Sequence, residues 1–271
     1  MNILICGYGN VGKHVYKELF PLQEKSLAEI TIYDKYCKEF EHIGLGEKNV
    51  YNYTELNFIK AQKFDYCFIC VPTEMLNSSG DADVSEVVQT FNNFKNVGTF
   101  IIKSAIPVGT CDKIGKDNVI ISPEYWGTTQ HCPEPNFLIL GGKKEAKDKV
   151  VELYNELKNG YYKYYFTDWK TAELVKYMEN CWIATKVTFC NEFAEIAKGF
   201  DIDYNELREL WLADKRVSPS HTLVYPNKPY FDSHCLNKDV PALISFCEKQ
   251  GIDTPLMKWV LNIRDTKKEQ N

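Results

Sequence analysis

From Asp168 to Lys198 the chain runs thirty-one residues without Pro or Gly, and apolar residues recur on every side of the implied helix: Leu174, Val175, Met178, Cys181, Trp182, Val187, Phe189, Phe193 and Ile196. Thr167 or Asp168 can cap its start, and Gly199 stands where a left-handed stop is expected. Such a helix would be about 46 Å long, and a helix apolar all round is normally buried on more than one side. Ahead of it the pattern differs. Short apolar runs at 2–6, 30–33, 64–71, 99–103, 119–121, 137–140 and 162–166 read as strands, and they alternate with helical stretches at 13–20, 83–92 and 144–157. That alternation predicts a parallel, doubly wound sheet. After the long helix, helical stretches at 204–212, 240–249 and 255–267 surround an irregular loop, 217–231, rich in Pro, Ser, Tyr and Asn. The predicted fold class is α/β. A doubly wound Rossmann sheet occupies 1–166, and an all-helical domain built on the long central helix occupies 167–271.

Charge and composition narrow the function. A formal net charge of -5 gives no electrostatic case for nucleic acid or an anionic membrane. No eighteen apolar residues follow one another, and Met1 to Ile5 opens directly into a strand pattern, so neither a signal peptide nor a membrane span is expected and the cytoplasm is the predicted location. Ten cysteines are irregularly spaced, and Cys6, Cys67, Cys70 and Cys190 sit in apolar runs as reduced core thiols do. Cys67 and Cys70 form a CxxC inside a strand pattern with no second Cys or His pair to complete a site, so no metal is expected.

The first strand runs straight into Gly7-Tyr8-Gly9-Asn10-Val11-Gly12, a helix follows, and the second strand ends at Asp34. In this context the first glycine permits the tight turn, the second lets backbone approach a pyrophosphate, and the third lets helix and strand pack closely. Asp34 is placed to accept from the adenosine ribose hydroxyls, which predicts NAD rather than NADP; Lys35 beside it weakens that preference slightly. Ligand groups of such a sheet lie at the carboxyl ends of its strands. Val71, Pro72, Thr73 and Ser104 fall there and complete the predicted cofactor set; Thr110 and Glu124 also fall at strand ends. On the long helix, Lys176 and Asn180 are one turn apart on one face. Cys235 differs from the other cysteines in its polar neighbours His234, Asn237, Lys238 and Asp239, and a thiol so placed suggests a nucleophile. Asp239 is one helical turn beyond Cys235, and it is the anionic partner the sequence offers to Lys176.

Seven motifs in order resemble the UDP-glucose and GDP-mannose dehydrogenase family of nucleotide-sugar dehydrogenases: Gly7-x-Gly9-x-x-Gly12, Cys70-Val-Pro-Thr73, Lys103-Ser-Ala-Ile-Pro-Val-Gly-Thr110, Ser122-Pro-Glu124, Ala172-Glu-Leu-Val-Lys176-x-x-x-Asn180, Asn191-Glu192 and Cys235-Leu-x-Lys238-Asp239. Ser220-His221-Thr222 resembles a segment of some members. The resemblance implies oxidation of a sugar-nucleotide primary alcohol to a carboxylate with two NAD. It makes Cys235 the nucleophile for a thiohemiacetal and thioester, Lys176 and Asn180 the oxyanion holders, and Asp239 a partner of Lys176 or of water. Glu124 takes thioester hydrolysis. Independently of the resemblance, the long helix (168–198) is apolar on more faces than the NAD domain alone can cover, which predicts a homodimer packed across it.

The chain departs from the family's pattern at several points. Asp232-Ser233-His234 replaces two glycines and a small residue, Ala105 replaces Thr, Asn237 replaces Pro, and Thr128 and Thr129 stand where an acid is expected after Glu124. The family continues after the helix ending near Asn262 into a further α/β domain that completes the nucleotide site, whereas this chain stops nine residues later. Two other readings stay open: a two-domain β-hydroxyacid dehydrogenase, and a non-catalytic NAD-binding derivative of the family.

Overall fold

The computed structural model describes residues 1–36, 50–51, 55–76, 80–127, 135–158 and 162–270. Thr128, Thr129 and most of the stretch between Asp34 and Lys60 lie outside them. The described chain forms two compact units: Met1–Glu74, Asp83–Trp126 and Pro135–Leu174 make the first, and the second is built chiefly on Val175–Asn271 and takes in Met75–Ala82. The division falls inside the long helix, whereas the sequence pattern changes at Thr167.

The first unit is a sheet of eight strands, β1 (Asn2–Cys6), β2 (Glu29–Tyr33), β3 (Val50–Tyr51), β4 (Phe64–Ile69), β5 (Val97–Ile102), β6 (Val119–Ile121), β7 (Phe137–Gly142) and β8 (Lys163–Thr167), in the order β3-β2-β1-β4-β5-β6-β7-β8. The central strands read as unbroken apolar runs because both faces are covered. Ile3 and Ile5 pack with Val15 and Leu19 of α1 (Asn10–Glu24) and Val150 and Leu153 of α5 (Lys144–Lys158). Leu4 and Ile69 turn to the other face, against Ile59 of α2 (Leu56–Lys60), Val87 and Phe91 of α3 (Ser85–Asn93) and Cys111 of α4 (Thr110–Ile114). Cys67, buried in β4, has its sulfur 3.8 Å from that of Cys6 on β1, and Cys70 is buried just beyond the strand. β3, α2 and α4 are too short for periodicity to reveal.

Two strands, β7 and β8, run against the predicted direction. β7 pairs with β6 antiparallel, Ile120 opposite Gly142 and Ile121 opposite Gly141, and β8 is parallel to β7. A parallel neighbour needs a crossover of a dozen or more residues, usually helical. The sequence between β6 and β7 supplies Pro123, Gly127, Pro133 and Pro135 instead of a helical pattern. Gly141 and Gly142 belong to the pairing itself: a Cβ on Gly141 would stand 2.5 Å from that of Ala172, and one on Gly142 2.6 Å from Ile120 Cδ1.

The second unit is helical: α6 (Trp169–Gly199, from Val175 onward), α7 (Tyr204–Trp211), α8 (His234–Lys249) and α9 (Pro255–Glu269). Cys181 and Ala184 of α6 share a core with Phe231, Leu236 and Ile244 and with Val260 of α9. α8 begins six residues before the predicted start and continues through Pro241, because the Ser233 side chain caps it by accepting from the Leu236 amide at 3.2 Å. A stripe of α6, Met178, Trp182, Phe189, Phe193 and Ile196, continued by Phe200 just past its end, is exposed in the single chain, Met178 to 71% and Phe200 to 75%, so burial on several sides does not extend to this face. Among the described residues no helix is long and apolar enough to cross a membrane.

The loop after β1 generates the first prediction. A Cβ on Gly12 would lie 2.0 Å from the Gly7 carbonyl oxygen, whereas one on Gly9 meets nothing within 4 Å. Gly12→Ala should lower stability by about 2–3 kcal/mol, and Gly9→Ala by no more than about 1 kcal/mol, as read from urea unfolding of the first unit.

Candidate functional site

Backbone geometry builds the phosphate end of the first unit. Gly7 takes φ 89°, and a Cβ there would lie 2.7 Å from the Cys70 carbonyl carbon, so the turn and the close approach of two strand ends both require glycine. α1 starts at Asn10 with Gly9 as its cap; no side chain caps it and its first turn holds no acid. Its leading N–H groups therefore face outward with the positive helix end behind them, an arrangement that fits a pyrophosphate. Asn10 and Val11 lie in that first turn.

Asp34 follows β2 and is fixed by two backbone amides, Tyr8 to Oδ2 at 2.6 Å and Tyr36 to Oδ1 at 2.8 Å. Its carboxylate thus ties the end of β2 to the glycine loop. Lys35 pairs with Glu86 of α3 at 2.7 Å. The loops after β4 and β5 are stitched by hydroxyls: Thr73 donates to the Ala105 carbonyl at 2.8 Å and Ser104 to the Val71 carbonyl at 2.6 Å. Val71 and Pro72 line the same cleft as Asp34.

Glu124 follows β6. Its Oε1 accepts from the amides of Tyr125 at 2.9 Å and Trp126 at 2.8 Å, and Oε2 lies 3.5 Å from the buried Lys103 ammonium. Burial opposes its charge, but Lys103, these amides and His14 outweigh it and hold the carboxyl below its usual range. Burial likewise opposes the Lys103 charge, and Glu124, Glu18 and Cys70 more than restore it. Glu124 is therefore held in place as an ionised carboxylate.

Sequence reasoning missed Glu173. It lies in the first turns of α6, almost wholly buried, and its carboxylate accepts from Gly109 at 2.6 Å and Cys111 at 2.8 Å, capping α4. Burial pushes its carboxyl up while those amides pull it down, with a net rise. An acid on a largely apolar helix was the available signal.

In the second unit, Asn180 and Asp239 meet: Asn180 Nδ2 donates to Asp239 Oδ2 at 2.6 Å, and both are buried. The other Asp239 oxygen takes Lys238 at 2.6 Å. Sequence reasoning paired Asp239 with Lys176, yet the ion pair found for Lys176 is with Glu179, at 2.6 Å and three residues along the same helix face. Cys235 is the second residue of α8, one turn before Asp239, and it alone among the cysteines of the described residues is exposed. The departures from the family's glycines are occupied by contacts: Asp232 accepts from Asn237 at 2.7 Å and from Lys228 at 2.8 Å, and Ser233 is the cap of α8.

The Ser220-His221-Thr222 segment is held by buried cations. Arg208 Nε donates to Thr222 Oγ1 at 2.8 Å, Tyr204 donates to the Thr222 carbonyl at 2.8 Å, and Lys186 donates to the Ser218 carbonyl at 2.5 Å. Burial, helped by Arg208, pushes Lys186 down, and burial with Lys186 beside it pushes His221 down.

Residues 170–266 match the UDP-glucose/GDP-mannose dehydrogenase family, central domain. UDP-glucose 6-dehydrogenase of Rickettsia bellii is 29% identical over 262 residues, covering 90% of this chain and 57% of that protein. UDP-N-acetyl-D-mannosamine dehydrogenase of Methanocaldococcus jannaschii is 29% identical over 266 residues, covering 88% of this chain and 60% of that protein. The solved structure of a UDP-glucose dehydrogenase from the hyperthermophilic archaeon Pyrobaculum islandicum superposes with a TM-score of 0.76 at 21% identity over 98% of this chain and 68% of that one. The chain thus spans a little over half the length of these curated relatives. Beside the glycine loop, the buried Asn180–Asp239 pair and the exposed Cys235, these likenesses identify residues 170–266 as a central domain of the UDP-glucose/GDP-mannose dehydrogenase family.

Proposed function

We propose that the protein oxidises the primary alcohol of a sugar nucleotide, UDP-glucose-like, to a carboxylate with NAD. The observation that carries this reading is Cys235, an exposed thiol in the first turn of α8, one turn from a buried carboxylate that is hydrogen-bonded by Asn180. Gly7, Gly9 and Gly12 with the open N-terminus of α1 hold the pyrophosphate, and Asp34 accepts from the adenosine ribose. When bound, NAD supplies the two-electron oxidant for each of the two oxidations.

The chain's own residues do the rest. The Cys235 thiolate adds to the carbonyl carbon of the intermediate aldehyde, and the carbonyl π pair moves onto oxygen as a thiohemiacetal. Asn180 and Lys176 stabilise that oxygen's charge. Asp239 holds Asn180 in one orientation, which is the preorganisation such a role requires. After the second oxidation the product is a thioester on Cys235. Water adds to it, Glu124 as a held carboxylate accepts the water proton, and the C–S bond breaks to return the thiolate. The exposed apolar stripe of α6 supports a homodimer through that helix, since contiguous apolar surface of this kind marks an interface.

Three outcomes follow. The wild type, given NAD and a panel of sugar nucleotides, forms two NADH per substrate oxidised, and Cys235→Ser forms at most one and no covalent adduct by mass spectrometry. Absence of NADH with every sugar nucleotide would leave dinucleotide binding alone. Trp182→Glu, placed on the α6 stripe, converts a dimer to a monomer in sedimentation at micromolar concentration; a wild-type monomer refutes the interface. For Glu124 the folded carboxyl titrates below its unfolded value of about 4.3, so its contribution is present above that pH and is lost as pH falls through the folded value. Glu124→Gln should therefore flatten the acid limb of stability against pH and, by leaving Lys103 buried without its anion, cost about 3 kcal/mol at pH 7.

A further inference from the structure

The cleft at the carboxyl ends of β1 and β2 measures about 390 Å³ including its open mouth, and its lining includes Asp34, Lys35, Tyr36, Glu86 and Gln89, all within the first unit. Asp34 accounts for one acid there. A second, Glu86, comes from the first turn of α3, where the positive helix end favours its charge. The helix also fixes it from behind, since Thr90 Oγ1 donates to the Glu86 carbonyl at 2.9 Å. Glu86 Oε1 accepts from the Lys35 ammonium at 2.7 Å and from the Tyr36 hydroxyl at 3.2 Å. Lys35 also stands 5.1 Å from the Tyr36 ring centroid.

These contacts change what Lys35 does. Taken alone, a lysine directly after the ribose-binding acid offers a cation to a 2′-phosphate. Here that cation is committed to Glu86, so its charge is already answered before a phosphate arrives. A 2′-phosphate brings about -1.5 to -2 charges at neutral pH and must compete with Glu86 for Lys35, while a neutral 2′-hydroxyl asks for no cation. A solvated lysine–glutamate pair on a surface does little for stability, and this one is partly exposed, 40% for the Lys35 side chain and 23% for that of Glu86. Its consequence is therefore electrostatic selection.

We propose that Glu86, through its hold on Lys35, is a second determinant of cofactor choice that acts beside Asp34 to exclude NADP. This deepens the dinucleotide reading of the same loop and rests on it. Glu86→Gln keeps the shape and a hydrogen-bond acceptor for Tyr36, removes one negative charge and releases Lys35.

The test is calorimetric titration of the full chain with NAD and with NADP, using the wild type, Glu86→Gln, Lys35→Met and the double variant. Glu86→Gln should tighten NADP at least about fivefold, the effect of one charge at short range in a half-exposed site, with NAD changed less than about twofold. The gain should shrink in about 0.5 M salt and vanish in the double variant, and Lys35→Met alone should not tighten NADP. An unchanged NADP affinity in Glu86→Gln, an equal gain for both cofactors, or a gain that survives in the double variant overturns the role of Glu86 while wild-type NAD binding stands. A wild type that binds neither cofactor overturns the dinucleotide reading and this inference together.

Discussion

A carbonyl oxygen of Gly7 packed against the α carbon of Gly12 fixes the geometry on which the first unit depends. There is no room for a methyl group between them, and the neighbouring turn at Gly7 is equally tight against the end of β4. The helix can reach the strand only because both positions lack a side chain, and that approach leaves the first amides of α1 outward with no side chain to cap them. One steric condition therefore produces both the packing of α1 on the sheet and an anion-binding helix end. The loop is then tied laterally by Asp34, whose two oxygens take amides from the loop itself and from Tyr36.

The buried charges follow a second rule, that each must have a partner that suits its chemistry. Glu124 has Lys103 and two amides, and Asp239 has Asn180 and Lys238. The two acids are partnered differently. Glu124 is an acceptor held in one place with its charge reinforced, whereas Asp239 spends its oxygens orienting a neutral amide and a lysine. In the second unit, Arg208 and Lys186 are cations used to hold carbonyl and hydroxyl groups of the turn that precedes Cys235.

Much of this was legible because it is local. The glycine loop, the strand that precedes it and the acid at the end of β2 are contiguous chain, and hydrophobic periodicity locates α6 to within a residue at each end. The direction of β7 was not legible, because pairing direction depends on where the chain has been brought from rather than on the residues in the strand. The partner of Asp239 was hidden for the same reason: Asn180 is fifty-nine residues away, and charge alone pointed to Lys176. The Lys176–Glu179 pair, by contrast, lay three residues apart in plain view. The start of α8 was also placed late, at 240, whereas the cap at Ser233 sets it at His234.

The Glu173 carboxylate bears on how the chain comes off the ribosome. It caps a five-residue helix that opens at Thr110, so α4 receives its acceptor from a residue made 62 positions after Cys111. At about 5–20 residues per second that delay is roughly 3–12 s. A helix that short does not hold itself in water, so throughout the interval the segment from Gly109 to Ile114 is a nascent, uncapped turn beside strands whose apolar faces are already synthesised. The first unit can finish folding only when the opening turns of α6 emerge, which makes synthesis of α6 the step that completes the sheet's own covering.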